Sequence, residues 1–253
     1  MSFSSILGIL IAGGATCLGA IPIFFKKEFS KNSLDIGLGF SAGVMLVASF
    51  LSLILPGIEA ANETYHHWYS FPIVLLGVTL GYLFIIGIHE ILPHEHIFKD
   101  RDMNKGQSMD RITLILLAIS LHNIPEGLAV GVGFGGGNEA GGFALAMAIA
   151  IQNMPEGLVV AFGVLREGAS KKKAFLLACL SGAVEPIAAV FGYITSSISS
   201  ETLPFALAFA GGTMLFVICQ EIFPELFRQG HERHATIGVL VGIMTMFAIN
   251  HYF

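Results

Sequence analysis

Residues 122–127 read His122-Asn123-Ile124-Pro125-Glu126-Gly127, and residues 152–157 read Gln152-Asn153-Met154-Pro155-Glu156-Gly157. Both hexapeptides lie inside long apolar runs, and that placement decides the fold. An ionisable group in the middle of a membrane span is costly, so a duplicated N-x-P-E-G at matched depth marks a functional centre. His122 and Glu126 are four apart and Asn123 and Glu126 three apart, so on a helix they project from one face. Gln152, Asn153 and Glu156 repeat the pattern. Two antiparallel helices presenting these faces offer an imidazole, three amides and two carboxylates to a shared cavity. Glu185, followed by Pro186 in the next apolar run, adds a third carboxylate.

The surrounding composition agrees. The 253 residues are 54% hydrophobic and 12% charged, with a mean hydropathy of +0.76. A soluble domain carries about 25% charged residues, so a water-soluble enzyme is disfavoured, and the hydrophobicity excludes a disordered chain. A formal charge of -5 argues against a nucleic-acid partner. Apolar runs fall at 5–25, 36–57, 71–92, 111–134, 141–165, 174–196, 204–223 and 235–253. Each is about long enough to cross a ~30 Å hydrocarbon core. The chain is expected to be an all-α polytopic membrane protein with eight transmembrane helices in one domain and the lipid bilayer as its surroundings. The first run lacks a basic segment before it and is read as a retained helix.

All 13 basic residues fall after spans 1, 3, 5 and 7. The positive-inside rule makes those loops cytoplasmic and puts both termini outside. The longest of them, about 94–110, is a histidine-bearing loop. Span 2 reads Ala42-Gly43-Val44-Met45-Leu46 and ends at Pro56; span 7 reads Gly211-Gly212-Thr213-Met214-Leu215 and ends at Pro224. The two spans run in opposite directions, as an inverted repeat of helices 1–3 and 6–8 around helices 4–5 requires. Chance similarity is the competing reading. Cys17, Cys179 and Cys219 sit in apolar runs and read as small packing residues without a disulfide framework.

Three carboxylates at midplane need a counter-charge. Every Lys and Arg is already placed in or beside a cytoplasmic loop, so a bound cation is the simplest partner. Mixed imidazole, carboxylate and amide donors suit Zn²⁺, Fe²⁺ or Mn²⁺ better than Na⁺ or Cu⁺. A polar network that only packs helices is the alternative. Pro125 and Pro155 lack an N–H and are expected to free the carbonyls of Leu121 and Ile151, while Gly127 and Gly157 permit close helix approach. Met45, Ser52 and Glu59 are spaced by seven and run from midplane to the outer mouth. They read either as a path for incoming cations or as a core Met, a packing Ser and a solvated Glu. His66 and His67 lie outside. On the cytoplasmic side His89, Glu90, His94 and His96, with Gln220 and Glu221, form a candidate release or regulatory group.

At these residues the chain resembles the ZIP family of divalent-metal transporters, especially its bacterial members. The resemblance runs through eight spans, outside termini, the loop between spans 3 and 4, and the H-N-x-P-E-G signature. It implies a first metal site at His122, Glu126, Gln152 and Glu156 with Met45 close by. It implies an adjoining second site at Asn123, Glu126, Asn153, Glu156 and Glu185. It further implies a homodimeric, elevator-like importer in the plasma membrane (the inner membrane of a bacterium), in which spans 1, 4, 5 and 6 move against 2, 3, 7 and 8. The metal is cargo, with Zn²⁺ first and Fe²⁺, Mn²⁺ or Cd²⁺ as alternatives, and no cofactor is expected. Two departures stand out: many members carry His where this chain has Gln152, and some bacterial members carry Asp where it has Asn153.

Two other classes compete. An intramembrane metalloprotease needs H-E-x-x-H, but His89-Glu90 is followed by His94 one residue too late, with Pro93 between. An aspartate-based protease needs a membrane-embedded Asp, and Asp35, Asp100, Asp102 and Asp110 are all expected in loops. A metal-selective channel would build its filter from rings across subunits, whereas these ligands converge within one chain.

Overall fold

A computed structural model describes residues 1–25, 30–91, 111–199, 201–227 and 232–252, and among them every regular element is helical. The helices are α1 (Phe3–Ala20), α2 (Lys31–Ala48), α3 (Leu55–Thr64), α4 (His67–Ile91), α5 (Arg111–Gly135), α6 (Glu139–Arg166), α7 (Lys171–Gly182), α8 (Val184–Ser197), α9 (Leu203–Val217), α10 (Phe223–Phe227) and α11 (Glu232–Tyr252). Seven stretches among the described residues are long and apolar enough to cross a membrane. α5, with 25 residues, has the length for an eighth.

Helix ends follow local capping. Ser30 precedes α2 and its side chain accepts from Ser33 N, so the helix begins at Lys31, ahead of the apolar run. This corrects the placement of Asp35, which lies in α2 and is buried. Hydropathy locates the apolar centre of a helix, whereas the cap sets its start. Between α5 and α6, Gly137 takes a positive φ of 82° and Asn138 caps α6 by accepting from Gly141 N.

The irregular backbone is not where the prolines of the hexapeptides suggested. α5 and α6 run helically through Pro125 and Pro155. A single lost N–H is tolerated inside a long membrane helix whose neighbours can satisfy the freed carbonyl. The helix interruptions fall in three other spans. α2 passes into a π-helical segment, Ser49–Ile54, before α3, and α9 passes into a second, Ile218–Ile222, before α10. In each span a proline follows, Pro56 or Pro224, whose missing N–H would have bonded Ser52 or Gln220 inside the π segment. The third interruption is a turn at Ala183 between α7 and α8, next to Glu185 and Pro186.

The broadest helix pairings are α1 with α6, α5 with α8, α2 with α11 and α4 with α9. Small residues line these seams. A Cβ on Gly39 or Gly43 would overlap the backbone of Ala235 or Val239, and one on Gly127 would overlap the carbonyl of Glu185. Close approach through small residues is how membrane helices gain packing where lipid removes the hydrophobic drive. Outside the seams the bundle is apolar, with Leu75, Leu76, Leu83, Leu240, Met244 and Phe247 exposed. Such a surface suits lipid and would be a liability in water. α1, α5, α6, α7 and α8 pack on one another, as do α2, α3, α4, α9 and their π segments; α2 against α6 and α5 against α9 join the two sets.

The cysteines need a correction. Gly13 and Gly182 meet so closely that a Cβ on Gly13 would lie 2.9 Å from the Gly182 carbonyl oxygen. One turn along each antiparallel helix, this contact sets Cys17 of α1 opposite Cys179 of α7, and the structure pairs them as a disulfide with Cα atoms 4.6 Å apart. Cys219 remains a free, exposed thiol.

Candidate metal-transport site

The two hexapeptides face each other where α5 packs on α6, and α8 brings Glu185 to the same level. Asn123, Glu126, Gln152, Asn153 and Glu185 are buried, and Glu156 is half-buried. The carboxyls of Glu126, Glu156 and Glu185 are near enough for their charges to act on one another. The side chain of His122 lies outside what the structure describes.

Amide nitrogens hold two of the carboxyls. Gln152 Nε2 donates to Glu126 Oε1 at 2.7 Å. Asn153 Nδ2 donates to both oxygens of Glu185, at 2.8 and 2.9 Å, and to the backbone carbonyl of Ala12 at 3.1 Å. Thr16 Oγ1 donates to Glu185 Oε1 at 3.4 Å. From the other helix set, Ser41 Oγ of α2 donates to the Gln152 carbonyl at 2.8 Å, a link directly beside the site.

Glu126 Oε2, Gln152 Oε1, Asn153 Oδ1 and Glu156 Oε1 are buried with no hydrogen-bond partner, as is Asn123 Nδ2. Leaving a buried acceptor unpaired typically costs about 1–3 kcal/mol, so the two hexapeptides carry an acceptor-rich, donor-poor set of buried groups. Such a set suits a cation. No group of three or more His, Cys, Asp or Glu among the described residues is close enough together to hold a metal.

Other candidate positions separate. Met45 is fully buried in the main apolar core. Ser52 and Glu59 line a cavity of about 490 Å³ with Glu63, Asn138 and Asn250, and Met45 does not line it. A π segment, Ser49–Ile54, lies between Met45 and Glu59 and includes Ser52. On the opposite end, Glu90 and Gln220 are exposed. The side chains of His89 and Glu221, and all of His94 and His96, lie outside the described residues. Thr16, Ser41 and the Ala12 carbonyl were not singled out from the sequence. The available signal was a hydroxyl at mid-depth in otherwise apolar spans 1 and 2.

Comparison with known proteins places this arrangement. The sequence model of the ZIP zinc transporter family matches residues 93–250. The chain is 40% identical over 242 residues to the zinc transporter GufA of Myxococcus xanthus, covering 95% of each. It is 38% identical over 243 residues to the zinc transporter ZIPB of Bordetella bronchiseptica, covering 96% of this chain and 79% of that one. It is 34% identical over 255 residues to the zinc transporter ZupT of Chlorobaculum parvum, covering 95% and 94%. An all-helical bundle apolar enough to cross a membrane several times, a polar centre of unpaired oxygens and these matches together make the chain a multi-pass membrane protein of the ZIP zinc transporter family, a family of transporters and not of enzymes.

Proposed function

We propose that this chain imports a divalent transition-metal ion, zinc first, through the midplane pocket between α5 and α6. The observation that carries the reading is the set of buried, unpartnered oxygens on Glu126, Gln152 and Glu156. His122, one turn from Glu126, completes the donor set, with Met45 in the neighbouring core. Iron, manganese and cadmium are the alternative cargoes, because a glutamine oxygen is harder than an imidazole and discriminates less for zinc.

The ion enters past Glu59 and Ser52 in the outer cavity. It leaves on the side of Glu90 and Gln220, where His89, Glu221, His94 and His96 also lie in sequence. The two helix sets supply the moving parts: α1 and α5–α8 carry Glu126, Glu156 and Glu185, and α2, α4, α9 and α11 form the frame. The paired π segments in spans 2 and 7, each four residues after the methionine of a similar pentapeptide, support an inverted repeat. Termini outside, a bacterial inner-membrane location and a homodimer complete the reading.

The test is competitive uptake of Zn²⁺, Cd²⁺, Mn²⁺ and Fe²⁺ into proteoliposomes by the wild type and Glu156→Ala. Saturable uptake that Glu156→Ala abolishes is expected. Linear, non-saturating flux would make the protein a channel. Binding without accumulation would make it a sensor and sink the transport reading.

A further inference from the structure

The resemblance that brings in the metal site implies two ions side by side, with Glu185 a ligand of the second. The hydrogen bonding around Glu185 points elsewhere. Asn153 Nδ2 reaches three oxygens: both of Glu185 and the carbonyl of Ala12. A backbone carbonyl only accepts, so it fixes which end of the Asn153 amide is the nitrogen. That nitrogen has two hydrogens; one serves Ala12, and the other bridges the Glu185 carboxyl. Thr16 Oγ1 adds a second donor to Oε1. Both carboxyl oxygens of Glu185 therefore already have protein donors, whereas Glu126 and Glu156 each keep a buried oxygen without one.

We infer that this carrier holds a single divalent ion at its midplane, because Asn153 Nδ2 and Thr16 Oγ1 donate to both oxygens of Glu185 and hold it toward α1 as a positioning residue. The inference rests on the transport-site reading above. No Lys or Arg lies near the middle of any described helix. Three carboxylates leave a net charge of −1 beside one dication and +1 beside two, so charge alone does not separate the counts, and the donors to Glu185 carry the inference. An aspartate at position 153 would change both terms. It has no N–H to give Glu185, and it raises the central carboxylates from three to four, which balances two dications.

The lock also has a mechanical side. It joins α1 (Ala12, Thr16), α6 (Asn153) and α8 (Glu185) into one unit just beyond the turn at Ala183. Of the two helices that carry the ion, α6 is thereby tied to α1 and α8 without the ion's help.

The experiment counts ions. Purified full-length protein in detergent is equilibrated with Zn²⁺ alone, and bound zinc per chain is measured by equilibrium dialysis and mass spectrometry, with monodispersity checked by size exclusion. The wild type should bind one ion per chain, Asn153→Asp two, and Asn153→Asp with Glu185→Gln one again. Glu185→Gln alone should keep one, because the lock and not the ion uses that carboxyl. Two ions on the wild type, or one on a monodisperse Asn153→Asp, would overturn the single-ion inference while leaving the transport site intact. No ion on the wild type would overturn the transport-site reading itself. A drop to zero in Glu185→Gln would make Glu185 a ligand and refute the lock.

Discussion

Gln152 donates through Nε2 to Glu126 Oε1 at 2.7 Å and leaves its own carbonyl oxygen buried without a partner. One amide thus orders a carboxylate of the opposite helix and keeps a neutral oxygen unpaired beside it. The residue does with one group what an imidazole would do with a proton donor and a borderline nitrogen ligand. Gln152→His should shift cargo preference toward zinc over manganese in competitive uptake. An unchanged order of preference would remove position 152 from the selectivity argument. Gln152→Ala, which deletes both functions, should weaken zinc binding about 10- to 100-fold.

Gly157 lies against the carbonyl of Thr16, which a Cβ would overlap, whereas nothing stands within 4 Å of a Cβ at Gly14. Gly157→Ala should destabilise the protein by about 1–3 kcal/mol, and Gly14→Ala should not. Thermal unfolding in one detergent measures both. Equal midpoints for the two variants would mean that the α1–α6 seam is slack.

Glu59 lines the cavity of about 490 Å³ with Glu63 and Ser52. If it attracts incoming cations, Glu59→Gln should raise KM severalfold at low ionic strength with little change in kcat, and the difference should shrink as salt screens the cavity. A loss confined to kcat would instead place Glu59 in a conformational step.

Cys17 and Cys179 are paired and Cys219 is exposed. Denatured without reductant, the chain should take up one maleimide, and after reduction three. Three labels before reduction would show that the two thiols pack without bonding.

Much of this protein was legible residue by residue. Hydropathy and length show an all-helical membrane protein, because a helix that satisfies its own backbone is the main way a chain of this composition crosses a bilayer. Six residues of duplicated pattern were enough to bring Glu126, Gln152, Asn153 and Glu156 to one level. Family membership was readable from the same residues. The misreadings came from treating helices as ideal and isolated. The spacing of Met45, Ser52 and Glu59 assumes one unbroken helix, whereas a π segment interrupts it at Ser49–Ile54; Ser52 and Glu59 line one cavity and Met45 lies in the core. Asp35 stands just before the apolar run at 36–57 and so reads as a loop residue, although the Ser30 cap starts the helix ahead of it.

The sequence by itself determined what acts within a few residues along the chain: the helical spans, their caps and the face on which each hexapeptide displays its polar side chains. The tertiary structure alone decided which distant partners those groups would meet. Nothing local to Asn153 says that its amide will be taken by Glu185 and Ala12, at separations of 32 and 141 residues. Nor does anything local to Cys17 name a partner 162 residues away. Both pairings follow from close backbone approach at glycines such as Gly13 and Gly182. That approach belongs to two surfaces fitting together, and neither helix specifies it alone.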